Sequence, residues 1–382
     1  MKKKIITIVG ARPQIIKSSA LSRAISEKFS ELLEEVIIHT GQHYDENMSR
    51  IFFDEMNISK PDYNLNVGSG SHGTQTAKMI EGLEAIFLKE KPSAIVVYGD
   101  TNSTIAGALA GAKIHIPVVH IEAGLRSFNK AMPEELNRIA CDHMSTLLFT
   151  PTEAGLKNLK REGFDLRNND KATIDAPNVY HCGDIMYDNS LHFSAISEGK
   201  SSILKELYLE NEGFVLCTVH RDSNTDIRNN MEAIFSSLLS IGESSGLKIA
   251  MPLHPRTRNK IKEQLSAELY DSVMSSENVC LFPPVGFLDI IALEKNAKLI
   301  ITDSGGLQKE AFFFKKPCII LRSQTEWVEI VENGNAILVG ADKDKIESAF
   351  KELMSKTNFS YPSFYGDGQA ATFICERLIG GL

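Results

Sequence analysis

Three carboxylates within one stretch of the chain are the first candidates for chemistry. Asp100 ends the apolar run AIVVYGD (94–100), Glu122 lies at the end of PVVHIEAG (117–124), and Glu134 opens PEELNR (133–138). Acids sharing a pocket suit proton transfer at carbon, because their surroundings push the pKa values apart and let one act as acid and another as base. Some element has to bring them together. The two apolar runs are buried-strand patterns, and the small-residue stretch STIAGALAGAKI between them reads as a helix. Strand, helix, strand is the βαβ unit of a parallel sheet. Ligands of such sheets bind outside the carboxyl ends of the strands, where all three acids would converge.

Two further stretches read as anion sites. GARPQIIK (10–17) puts Arg12 and Lys17 at a helix start. Cations there are disfavoured by roughly 0.3–1 kcal/mol each when exposed. They are either a solvated pair or, as the helix electrostatics favour, two sides of an anion cradle; the Walker pattern is absent. IITDSGGLQKE (300–310) runs from an apolar strand through Ser304, Gly305 and Gly306 into a helix. Glycines let backbone N–H groups approach phosphate oxygens, and Glu310 one turn on can accept from a ribose diol. The plain alternative is a tight turn with a surface glutamate. His220 and Arg221 end another strand and suit phosphate contact; His254 repeats that arrangement. Glu134 and Arg138 also stand four apart, the spacing of a simple helix ion pair. His115 and His120 read as structural, Phe312–Phe314 as core, and Trp327 as either buried or a ligand contact.

The chain has 382 residues, more than one core usually holds, so two domains are expected. Strand and helix patterns alternate throughout, which predicts an α/β fold of two Rossmann-like domains with parallel sheets facing an interdomain cleft. The expected domains are 1–184, carrying the carboxylates, and 185–364, binding the nucleotide. Residues 365–382 form a last helix that returns to the first domain. Residues 64–76, rich in Gly, Ser and Thr, read as a loop. A net charge of −8 with interspersed signs argues against a nucleic-acid or membrane-surface role. No apolar run is long enough to span a bilayer. Six scattered cysteines without metal spacing read as thiols of a reducing, cytoplasmic compartment.

The motifs GARPQIIK, TGQHY, YGDTNST, HIEAGLRSF, PEELNR, TVHR, DSGGLQKEA and YGDGQA occur in this order along nearly the whole chain. In combination they make it resemble the non-hydrolysing UDP-N-acetylglucosamine 2-epimerases. That resemblance implies the GT-B-like arrangement, a UDP-sugar substrate, a homodimer, and no required nicotinamide or metal. It also implies a reaction, serving bacterial surface polysaccharide precursors: UDP leaves C1 by elimination, a 2-acetamidoglucal stays bound, and UDP adds back after protonation on the other face. Asp100, Glu122 and Glu134 would be the acid–base groups, and His220 would face the leaving pyrophosphate. Arg12, Lys17 and Arg138 would hold charge and substrate, and Gln42 and His43 would line the site. Ser304, Gly305 and Gly306 would bind phosphate, Glu310 the ribose, and Arg322 would match the family's arginine after the next strand.

Two departures concern the substrate. The family's His-Arg-Arg-Glu-Asn is here His220-Arg221-Asp222-Ser223-Asn224, and its Thr-Glu-Arg-Pro-Glu is Thr325-Glu326-Trp327-Val328-Glu329. The second form is similar to relatives acting on modified UDP-N-acetylhexosamines, such as 2,3-diacetamido uronic acids or 6-deoxy L-sugars. Three rivals share the features: a hydrolysing epimerase, a GT-B glycosyltransferase and an inactive UDP-sugar sensor. The first turn, the three strand-end acids and the intact acid–histidine set speak against each in turn.

Overall fold

The structure, a computed structural model, describes residues 2–41, 59–210 and 213–381. Gln42 and His43 lie outside the described residues. The chain divides into two compact units, Met1–Leu191 with Ser363–Leu382, and His192–Pro362.

In the first unit the strands are β1 (Lys3–Val9), β2 (Leu33–His39), β3 (Tyr63–Asn64), β4 (Ala94–Tyr98), β5 (Val118–Ile121), β6 (Leu147–Thr150) and β7 (Asn178–His181). Their order is β3-β2-β1-β4-β5-β6-β7, and every pairing is parallel. The runs are continuously apolar because both faces are covered. Ile5, Val96, Val119 and Phe149 pack on one side, and Ile6, Ile8, Ile95 and Val97 on the other. Helix α1 (Arg12–Ala24) follows β1, α2 (His72–Glu90) precedes β4, and α3 (Asn102–Lys113) joins β4 to β5. Helix α4 (Pro133–Met144) follows β5. Ala106, Ala108 and Ala110 of α3 pack against the sheet without exposure, as its small-residue pattern requires. The C-terminal helix Ala370–Gly381 buries Ile374, Cys375 and Leu378 in the same cluster as Leu21 and Ile25.

The second unit repeats the plan with β8 (Phe214–Thr218), β9 (Lys248–Pro252), β10 (Val279–Phe282), β11 (Leu299–Thr302), β12 (Cys318–Ile320) and β13 (Ala336–Leu338). The order is β10-β9-β8-β11-β12-β13, again all parallel. In both sheets the chain winds outward one way and then reverses, so each has a switch point, between β1 and β4 and between β8 and β11.

Residues 64–76 depart from the expected loop. Asn64 closes β3, and the chain then stays tied to the sheet edge through Leu65 to His39 and Val67 to Thr40. Helix α2 begins at His72, where the Ser71 hydroxyl accepts from the Thr74 amide. Composition hid these elements because the strand is two residues long and the helix start is made of the same Gly, Ser and Thr that build loops.

Candidate active site

The first switch point carries the acids. Gly99 follows β4 with φ +61 and lets the chain turn so that Asp100 stands at the strand's carboxyl end. Glu122 follows β5 with φ +74, a conformation that costs a non-glycine residue roughly 1–2 kcal/mol. The amides of Glu122 and Ala123 both donate to the Phe149 carbonyl at 3.0 Å, which holds this turn in place. Strain retained in this way is a mark of functional positions. Each acid meets a cation: Lys17 from α1 pairs with Glu122, and Arg138 from α4 pairs with Asp100. A Cβ at Gly99 would lie 3.4 Å from the Lys17 ammonium and 3.7 Å from a Glu122 oxygen, so the glycine leaves room for that pair beside the turn.

Burial raises the pKa of Asp100; Arg138 opposes this, while the Glu122 and Glu134 charges add to it. Asp100 therefore feels both of the other acids. Glu134 itself is exposed in the first turn of α4. Its i,i+4 pairing with Arg138 does not form. Arg138 turns inward to Asp100 and, at 2.7 Å, to Glu135. Glu135 is buried and also accepts from the amides of Ser127 and Phe128 at 2.9 and 3.0 Å. Arg12 is exposed at the start of α1.

Two residues not singled out in the sequence hold these elements. Gln14 is buried; its carbonyl accepts from Gly10 and Ala11, and its amide donates to Tyr98 and Thr104. It stitches the turn after β1 to the end of β4. A polar residue inside the apolar GARPQII run was the available signal. Gly10 is obligatory for packing, since a Cβ there would overlap the hydroxyls of Ser103 and Thr40.

The second switch point is built from backbone donors. Ser304 precedes the helix Gly305–Phe313 without capping it through its side chain. A Cβ at Gly306 would sit 3.8 Å from both the Ser304 hydroxyl and a Glu310 carboxylate oxygen, so these three share one small patch. Amides at a helix start favour an anion. Asp303, fully buried, was missed in the sequence. It accepts from the amides of His220 and Arg221, from the Asn224 side chain at 3.0 Å, and from His220 Nδ1 at 3.1 Å. Arg221 Nε returns a bond to the Asp303 carbonyl at 3.1 Å. Burial works to raise the Asp303 pKa, but the bonds from His220, Arg221 and Asn224 outweigh it and hold the group below the usual carboxylate range.

His254 caps the helix Pro255–Gln264, accepting from the Arg256 amide at 3.2 Å, and its ring centre lies 5.3 Å from that of His220. Arg322 is clamped by Glu326 through two 3.0 Å bonds, next to Gly305. Trp327 is buried; its indole N–H donates to the Gly305 carbonyl at 3.0 Å, and the Lys309 ammonium lies 4.2 Å from its ring centre. Among the described residues, no cluster of His, Cys, Asp and Glu could hold a metal, and no helix is long and apolar enough to cross a membrane.

A family model described as UDP-N-acetylglucosamine 2-epimerase matches residues 27–379. The chain belongs to this family. Its members are isomerases. One relative, a UDP-N-acetylglucosamine 2-epimerase homolog of Methanococcus maripaludis, is 48% identical over 98% of this chain and 99% of its own. The UDP-2,3-diacetamido-2,3-dideoxy-D-glucuronate 2-epimerase of Pseudomonas aeruginosa is 46% identical over 98% and 99%. The crystal structure of the Methanocaldococcus jannaschii UDP-GlcNAc 2-epimerase in complex with UDP-GlcNAc and UDP superposes with a TM-score of 0.83 at 41% identity, covering 99% of this chain and 100% of that one. The two parallel sheets are thus those of the GT-B-like epimerases.

Proposed function

We propose that the protein interconverts the C2 epimers of a UDP-N-acetylhexosamine without hydrolysing it. The observation that carries this reading is the pair of acids at neighbouring strand ends, Asp100 and Glu122, each held by a cation, Arg138 and Lys17. The C2 hydrogen of a sugar is not acidic by itself. When the C1–O bond breaks, its electron pair leaves with UDP and positive charge grows at C1. A carboxylate then removes the C2 proton, and the C–H pair becomes the C1=C2 bond of a 2-acetamidoglucal. Return of a proton from a second carboxyl on the opposite face, with attack of a UDP oxygen at C1, completes the inversion. Two acids on two faces are needed, and the first unit offers three.

UDP must stay bound while it is detached. The Ser304 hydroxyl and the Gly305 and Gly306 amides would hold phosphate, Glu310 the ribose diol, and His220 the charge of the departing diphosphate, with Asp303 orienting its ring. Arg12 and Arg221 would add positive charge, and His254 would stand behind His220. Arg322 and Trp327 brace the Gly305 turn, so their part is to shape the cradle. Assembly as a homodimer and action in the cytoplasm belong to the same proposal.

The decisive experiment incubates the protein with UDP-N-acetylglucosamine in heavy water and follows the sugar by NMR. Expected are both C2 epimers, each carrying deuterium at C2. Free N-acetylmannosamine accumulating with UDP would sink the non-hydrolysing reading. A second substrate class is favoured by Thr325-Glu326-Trp327-Val328-Glu329 and by the 46% identical diacetamido-glucuronate epimerase. Turnover of UDP-2,3-diacetamido-2,3-dideoxy uronate in the same assay, against none of UDP-N-acetylglucosamine, would transfer the chemistry to that sugar.

A further inference from the structure

His120 looks at first like a core histidine, wholly buried on β5. Its two bonds say more. Nδ1 is 2.7 Å from Asp142 Oδ1, and Nε2 is 2.8 Å from the Gly99 carbonyl oxygen. A carbonyl can only accept, and so can an ionised carboxylate. Asp142 is ionised: its other oxygen accepts from the Gly124 amide at 3.1 Å and lies 2.7 Å from Arg126 Nη2. Burial works to raise its pKa, but His120 and Arg126 outweigh this and hold it below the usual range. A neutral imidazole has one N–H and serves one acceptor; only the imidazolium serves both. Burial opposes that charge, while Cys141 and Asp142 outweigh it and keep the ring well above the ordinary histidine range. The charges continue outward in alternation, since Arg126 also binds Glu162 at 2.7 and 2.6 Å.

Three threads of this network end on segments that carry the acids. Gly99 immediately precedes Asp100. Gly124 follows Glu122 by two residues. Asp142 sits on α4, whose first turn bears Glu134. We propose that His120 is a permanently protonated positioning residue, which through Gly99 and Asp142 fixes Asp100, Glu122 and Glu134 relative to one another for the proton transfers at C2. This rests on the acid–base roles assigned above. Misplacing reacting groups by about 1 Å can cost on the order of 100-fold in rate, so an anchor remote from the substrate can matter to turnover.

Two variants cut one thread each. His120→Asn can mimic Nδ1 and reach Asp142 but not Gly99; His120→Gln can mimic Nε2 and reach Gly99 but not Asp142. In both, kcat for C2 deuterium exchange should fall about 100-fold while KM moves less than about threefold and UDP affinity is unchanged. A purely structural histidine would lower Tm and leave kcat of the folded variant intact, which would overturn the proposal. Nitrogen-15 NMR of the unaltered protein tests the charge independently of how the variants fold. Two N–H correlations for the His120 ring, persisting from about pH 6 to 9, are expected; one bare nitrogen in that range overturns the proposal. An unaltered protein exchanging no C2 hydrogen on any UDP-N-acetylhexosamine would instead be the failure of the epimerase reading, distinguishable because the nitrogen spectrum needs no substrate.

Discussion

At the switch point of the first sheet, charge is met by charge: Lys17 takes Glu122 and Arg138 takes Asp100. At the switch point of the second, one buried carboxylate, Asp303, gathers backbone amides and the His220 ring, and the helix start at Gly305 offers N–H groups. The winding of the two sheets is the same. What differs is the chemistry grafted at the strand ends, as expected when function resides in sites and not in folds. Side-chain acids with matched cations can exchange protons, because their protonation is poised by neighbours. Backbone donors cannot titrate and so hold a charged group constantly, which suits a leaving group that must return.

The strongest way to break this contrast is to neutralise an acid. Asp100→Asn or Glu122→Gln should lower kcat for C2 exchange by roughly 10²–10⁴-fold, the usual worth of a positioned acid or base. UDP affinity, measured by calorimetry, should stay within about threefold, since the nucleotide contacts lie on other residues. A variant losing both to the same extent would mean that the acids bind rather than transfer protons.

Glycines sharpen the same contrast with a smaller effect. Gly10→Ala forces a methyl onto the Ser103 and Thr40 hydroxyls and should cost about 1–3 kcal/mol of stability, read from denaturant unfolding. Gly306→Ala meets nothing closer than 3.8 Å, so folding should be untouched. The methyl would still stand where an anion approaches the amides, and UDP affinity should fall about tenfold, or ~1.4 kcal/mol. Equal UDP binding by Gly306→Ala and the unaltered protein would remove this turn from the nucleotide site.

The strands, the glycine turns and the acids at strand ends were legible because each depends on local pattern: apolar runs, then Gly, then a charge. Partner choice was not legible. Spacing alone offers Glu134 to Arg138, yet the arginine takes Glu135 three residues away and Asp100 from the turn after β4. The preference follows from burial, since Glu135 is fixed by two amides of the preceding loop, and burial is a tertiary fact. Gln14 and Asp303 were passed over for a related reason. Each acts on backbone groups brought together by the sheet, so nothing in its own neighbourhood announces the task. His120 was read as structural, and its second acceptor, the Gly99 carbonyl, appears only when β4 and β5 lie side by side.

The smallest expected effect concerns a buried acid outside both charge sets. Glu294 is almost fully buried, with one carboxylate oxygen lacking a hydrogen-bond partner. Burial first, and the Glu310 charge second, raise its pKa well above the ordinary value. The folded protein therefore holds a proton that the unfolded chain has released once pH exceeds the ordinary glutamate pKa. Glu294 contributes most to stability below that value, and the contribution declines as pH rises through the folded pKa. Glu294→Gln keeps the shape and removes the titration. It should flatten the fall of Tm as pH rises above the ordinary glutamate range while leaving stability near pH 4 within about 1 kcal/mol of the unaltered protein. Because Glu310 is the assigned ribose acceptor, the same variant should also weaken any alkaline loss of UDP affinity. An unchanged Tm profile would show that Glu294 does not hold its proton in the fold.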